Sequence, residues 1–116
     1  MKNSFGEIEK RVIEFRDARD WKQFHNPKDL ALSVTLEASE LMEHFQWKSP
    51  EEVKAYAETH KEDLSEEMAD VAIYLITMAH DLNINLLDAI DEKLNKNNAK
   101  YEANKSKGNH KKYTEL

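Results

Sequence analysis

Residues 61–81 read KEDLSEEMADVAIYLITMAHD, and the reading of this stretch decides the fold. It holds neither Gly nor Pro. Leu64, Val71, Tyr74 and Met78 recur at helical core spacing, so the segment predicts one long helix from Lys61 to Asp81. From Val71 to Met78 it is apolar nearly all round, which predicts burial on most sides or a subunit interface. The whole apolar run, Val71 to Ala79 with Thr77 inside it, is far too short to cross a bilayer. One position breaks the apolar stripe: Glu67 stands between Leu64 and Val71, with Asp70 three residues on.

The flanking segments carry helical signals as well. Phe5, Ile8, Val12 and Phe15 mark an amphipathic helix over about Phe5 to Asp20, and Asp20–His25 interrupts it. Asn26-Pro27 is a helix start, with Asn as N-cap and Pro in the first turn, for a helix expected to reach about Trp47. Ser49-Pro50-Glu51-Glu52 has capping-box spacing and opens a short helix through about Glu58. Asn83-Ile84-Asn85 is a turn, and Asn85 caps a last helix from Leu86 to about Asn104. Residues 105–116 form a polar tail, expected to be mobile. With no repeat and no strand-like alternation, the sum is an all-α bundle of about four main helices. It forms one domain over residues 1–104, followed by the tail.

Composition narrows the function. Only two Gly and two Pro among 116 residues exclude a P-loop or a Gly-rich dinucleotide loop. There is no Cys, hence no disulfide frame, thiolate metal site or Cys nucleophile. A net charge of −6 argues against a nucleic-acid polymer as partner. Met1 to Phe15 has no apolar run of signal-peptide length, so a soluble, cytoplasmic protein with no membrane partner is expected.

The acids carry the chemistry. Glu37 and Glu40 repeat the pattern of Glu67 and Asp70: each pair is spaced i, i+3, on one helix face. Glu37 interrupts the stripe Leu30, Val34, Leu41, Phe45 as Glu67 interrupts its own. Carboxylates turned inward on two helices do not stay ionised together without a cation. Oxygen-only donors suit Mg²⁺, which keeps several waters and is shared with substrate phosphates. The plainer alternative is a set of solvated surface acids. Glu43 and Glu66 read as outward neighbours.

Around these acids lie Trp21, Phe24 and His25 in the connector, and Ser33, His44 and Trp47 on the face that continues from Glu37 and Glu40. Aromatic walls suit a nucleobase, although each ring alone equally well plugs a bundle end. Lys93, Asn97, Lys100 and Tyr101 form a cationic, hydrogen-bonding stripe on the last helix, able to meet a triphosphate or simply solvent. Neither a His-Glu-x-x-His nor a Glu-x-x-His motif occurs, which argues against a zinc protease or a di-iron bundle.

Glu37-x-x-Glu40 followed by Glu67-x-x-Asp70 resembles the metal-binding pattern of the MazG-like all-α nucleoside triphosphate pyrophosphohydrolases. Arg19–His25, Glu40–Trp47, Glu66–Leu75, Lys93-x-x-x-Asn97-x-x-Lys100-Tyr101 and Lys112–Leu116 are similar to the dCTP pyrophosphatase branch. The resemblance implies a four-helix fold in a tight homotetramer. It also implies Mg²⁺-dependent cleavage of dCTP, including 5-modified forms, to the monophosphate and pyrophosphate. By the same resemblance Glu37, Glu40, Glu67 and Asp70 hold magnesium, and Glu37 or Glu40 orients the attacking water. Trp21, His25 and Trp47 then line the base pocket, and Lys93 and Asn97, with Tyr101 beside them, meet the phosphates. One departure is Glu102 after Tyr101, where relatives often carry Pro. Other readings are the same scaffold with a dUTP or broad nucleotide preference, and a non-catalytic helical interaction module.

Overall fold

The computed structural model describes residues 3–108, 110 and 114. Of the Lys112–Leu116 segment, all but Thr114 lies outside the described residues, as does part of the expected tail. The described residues are helical or irregular, with no strand among them. The chain divides into two compact units, Met1–Asn83 and Ile84–Leu116.

The first unit holds α1 (Phe5–Ala18), a 3₁₀ turn (Lys22–Phe24), α2 (Pro27–Glu43), α3 (Pro50–Thr59) and α4 (Lys61–Asp81). The caps follow the sequence. Asn26 Oδ1 accepts from the Asp29 N–H at 2.9 Å, with Pro27 opening the helix. Ser49 and Glu52 close a reciprocal capping box. There the Ser49 N–H holds the Glu52 carboxyl below its ordinary range. The long helix has the expected bounds.

α2 does not reach Trp47. It ends at Glu43, and residues 44–47 turn instead. Trp47 sits at φ +68°, a left-handed conformation that strains a bulky side chain. A helix end of this kind normally carries Gly. With Trp in that place the sequence shows no stop signal.

α4 is the hub. α2 packs along it, and α1 and α3 also rest on it. α2 and α4 run antiparallel: Asn26 and Pro27 share a cleft with His80–Asn83, while His44, just past α2, faces Glu67. The fully packed apolar centre is small, comprising Leu30, Ile76 and Ala79. Val34, Leu41, Val71, Tyr74 and Met78 line the seam half-buried, as the stripes predict.

One buried charge ties α1 to α4. Arg16 is 3% exposed, and its Nη1 donates to Asp81 Oδ2 at 2.7 Å. Its Nε donates to Asp17 Oδ1 at 3.2 Å. Burial alone pulls the guanidinium pKa down, but the two carboxylates outweigh it and the net shift is upward.

The second unit holds α5 (Leu86–Lys100) and the single turn α6 (Ala103–Ser106). The Asn85 side chain caps α5 through the Asp88 N–H at 3.0 Å. α5 stops at Lys100, four residues short of the expected end. Glu102 adopts φ −54° and ψ 133°, the backbone conformation a proline would impose. The exit is therefore kept without the ring.

Removing one partner of the α1–α4 ion pair leaves a buried charge uncompensated. Asp81→Ala is expected to cost about 3 kcal/mol in urea unfolding. The paired replacement Arg16→Met with Asp81→Leu is expected to recover most of that loss. A loss under about 0.5 kcal/mol for Asp81→Ala would show the pair to be a mere surface contact.

Candidate functional site

The acid pairs meet on the α2–α4 seam. Carboxylate oxygens of Glu37, Glu67 and Asp70 lie within 4.8 Å of one another. Glu37 and Glu67 are half-buried, and the Oε2 atom of each is sealed from solvent with no hydrogen-bond donor. Glu40 and Asp70 are exposed, although Asp70 still brings one carboxylate oxygen to the cluster, so of the four acids expected to point inward Glu40 alone stays at the rim. Residues i and i+3 lie about 60° apart around a helix, so they share a face while one acid sits nearer the seam and its neighbour nearer the rim.

Burial raises the Glu37 carboxyl pKa above its ordinary range, and Glu40, Asp70 and Glu67 push it further the same way. The donor set contains oxygen only, it is anionic, and two of its oxygens lack any protein partner. It fits a hard divalent cation.

Next to the triad is a cleft of ≈ 380 Å³ lined by Glu40, Glu43, His44, Lys48, Tyr56 and Glu67. Glu43, read from sequence as a bystander, thus borders the site, while Glu66 is exposed as expected. His44 Nε2 lies 3.7 Å from Glu67 Oε1, and His44 Nδ1 hydrogen-bonds the Tyr56 hydroxyl. Lys48 Nζ donates to the His44 carbonyl at 2.7 Å and stands 4.5 Å from the centre of the Tyr56 ring. Sequence reasoning passed over Tyr56 and Lys48. The available signal was the α3 stripe Val53, Tyr56, Ala57, His60, which sets Tyr56 on the face turned inward.

The expected aromatic walls do not gather in one place. Trp21 packs edge-on against Phe15 at 5.8 Å, with Arg19 stacked on the same Phe15 ring. His25 lies in a separate cleft of ≈ 480 Å³ with Lys22, His80, Asp81 and Asn83. Its Nδ1 is buried and unpartnered. Trp47 is 92% exposed at the opposite end of α2. The 17 residues of α2 put about 25 Å between these two ends. Within one chain, then, Trp21 and His25 stand apart from Trp47.

In the second unit Lys93 and Asn97 share one face of α5, around a hollow of ≈ 260 Å³ with Ala89, Ile90 and Leu94. Lys93 is exposed and Asn97 half-buried. The Tyr101 N–H donates to the Asn97 carbonyl at 2.8 Å as the helix closes.

The chain is 38% identical to dCTP pyrophosphatase 1 of Mus musculus over 112 residues, covering 95% of this chain and 66% of the mouse protein. It is 37% identical to dCTP pyrophosphatase 1 of Homo sapiens, with the same coverage. The chain thus spans just under two thirds of the length of these curated relatives. A crystal structure of a pyrophosphatase from Archaeoglobus fulgidus superposes with a TM-score of 0.82 at 39% identity, covering 88% of this chain and 95% of the other. Residues 32–116 match the MazG-like family, a range that takes in both acid pairs and all of α5. The chain belongs to the MazG-like family.

Proposed function

We propose that this protein is a nucleoside triphosphate pyrophosphohydrolase that uses Mg²⁺ to cleave dCTP, and 5-modified dCTP, to the monophosphate and pyrophosphate. The observation that carries this reading is the pair of sealed, unpartnered carboxylate oxygens on Glu37 and Glu67, with Asp70 in reach. The names of the curated relatives support the reaction and the base.

Glu37, Glu67 and Asp70 hold the ion, with Glu40 at the rim. When bound, Mg²⁺ supplies positive charge to the phosphate oxygens and to the leaving pyrophosphate. Glu40 is open to the cleft and orients a water for in-line attack at the α-phosphorus, with Glu37 as the other acid able to do so. The new P–O bond forms to that water, the bond from the α-phosphorus to the bridging oxygen breaks, and the water's proton passes to the carboxylate. Lys93, Asn97 and Tyr101 bind the phosphates, and Trp21, His25 and Trp47 wall the base. The catalytic domain spans residues 1–104, with the polar tail after it.

Because Trp47 stands about 25 Å from the Trp21 and His25 end of its own α2, the base pocket draws on more than one chain. The proposed assembly is a homotetramer of four-helix units. Its support is the exposed apolar surface at Leu32, Leu36, Ile73 and Leu75, more than a lone small domain normally leaves open.

With Mg²⁺ and a panel of nucleotides, pyrophosphate release is expected to be fastest from dCTP. Equal turnover of dCTP, dUTP and dATP would refute the base preference, and no release from any nucleotide would leave a helical interaction module. Glu67→Gln is expected to lose nearly all hydrolysis while keeping its helical circular dichroism.

The metal-free acid cluster works against folding. The raised Glu37 pKa means that its share of stability is full at low pH and lost as pH rises through the folded-state value. Glu37→Gln is therefore expected to raise the metal-free melting temperature at pH 7 and to abolish the upward shift produced by Mg²⁺. A wild-type protein whose melting point ignores Mg²⁺ would contradict the metal site.

Light scattering at micromolar concentration is expected to give the mass of four chains. A monomer would contradict the shared pocket.

A further inference from the structure

The cleft beside the acids contains a chain of contacts that the proposed reaction does not use. It starts at the corner between α3 and α4. His60 is both the last cap of α3 and the first of α4, and its ring stacks on Tyr56 with centroids 3.8 Å apart and planes 3° from parallel. His60 Nδ1 contacts the Tyr56 carbonyl at 3.0 Å and the Thr59 hydroxyl at 2.8 Å. Phe45 meets Tyr56 edge-on at 6.0 Å, and Lys48 covers part of the same ring. Tyr56 is held from three sides, and its hydroxyl reaches His44 Nδ1.

The next link ends on an acid of the triad. His44 Nε2 faces Glu67 Oε1, while the other oxygen, Oε2, is the one left buried without a donor. The two oxygens of Glu67 therefore have different surroundings: one looks to the histidine, and the other is sealed without a donor. The hydrogen bonding also selects a tautomer. A carboxylate only accepts, so Nε2 carries the hydrogen toward Glu67, and a neutral ring then accepts the Tyr56 hydroxyl proton at Nδ1. At 3.7 Å the histidine and the glutamate face each other at ion-pair rather than hydrogen-bond distance. The backbone supports the same placement. His44 is the C-cap of α2, its N–H bonds to Leu41 and Met42 carbonyls, and its own carbonyl is taken by Lys48.

We propose that His44, steered by Tyr56, is a positioning residue that fixes the Glu67 carboxylate so that Oε2 points at the cation held with Glu37 and Asp70. This rests on the metal reading of the acid triad. Carboxylates that ligate metals are themselves hydrogen-bonded by outer groups, and losing such a partner typically weakens metal affinity about 10- to 100-fold. The role belongs to α3 as much as to His44, because the short helix supplies the tyrosine and the stacked histidine that set the ring.

The test titrates Mn²⁺ into the metal-free full-length protein, follows free Mn²⁺ by electron paramagnetic resonance, and records the metal-free melting temperature of each variant. His44→Leu keeps the bulk and removes both ring nitrogens. Its Mn²⁺ Kd is expected to rise about 10- to 100-fold. Tyr56→Phe, which removes only the hydroxyl, is expected to raise the Kd in the same direction by less. His44→Gln returns an N–H donor near the Nε2 position and is expected to restore most of the affinity. Wild-type Kd in both His44→Leu and Tyr56→Phe would overturn the proposal. So would an equal loss in His44→Leu and His44→Gln that follows their melting temperatures, since that pattern reports packing alone. A wild-type chain that binds no Mn²⁺ would overturn the metal reading itself, a result distinct from either.

Discussion

The seam between α2 and α4 must bury apolar side chains and anions in one stripe, and the rest of the first unit follows from that conflict. Leu30 and Ile76 close one end of the seam, while Glu37 and Glu67 occupy core positions further along it. Two sealed carboxylate oxygens without donors cost free energy that the small centre of Leu30, Ile76 and Ala79 hardly offsets. The remaining helices hold this seam in place. α1 is bolted to the far end of α4 through Arg16 and Asp81, and α3 braces the near end through Tyr56. Each brace adds a polar contact to a half-buried apolar face, Ile8 and Val12 on α1 and Val53 and Ala57 on α3.

The seam could be seen in the sequence, and neither of its two braces could. The long helix was legible to the residue because its stripe is regular and it lacks Gly and Pro. Glu37 and Glu67 were legible because they violate the stripes, and a violation of pattern is itself a signal. Arg16 was not. It sits among charged residues of α1, and only the three-dimensional meeting with Asp81, 65 residues away, makes it a buried cation. Tyr56 was hidden for the same reason, since its partner His44 lies twelve residues upstream across a turn.

The end of α2 failed for a different reason. A helix usually stops at Gly because Gly enters the left-handed region without strain. Here Trp47 takes that conformation at φ +68°, so the stop is made by a residue that reads as a continuation of the helix. Backbone strain at a non-glycine position concentrates at functional sites, where the surrounding structure over-determines it. The turn follows His44, which keeps a helical backbone and faces Glu67, and it leaves the indole of Trp47 almost wholly in solvent. A straight α2 reaching Trp47 would keep the residue order but carry the indole along the helix axis.

An indole 92% exposed is a poor final state for the largest ring system in the chain, and it does not stand alone. Leu32 and Leu36 on α2 and Ile73 and Leu75 on α4 also face outward. Such surface is costly in water unless another surface covers it. The separation of Trp47 from Trp21 and His25 poses a second difficulty, because rings about 25 Å apart along one helix cannot sandwich one base. The proposed tetramer would answer both at once: it would remove apolar area from water and bring one chain's Trp47 toward another's connector. The same proposal accounts for the exposure of Trp47 within a single chain, because its partner ring would belong to a neighbouring copy.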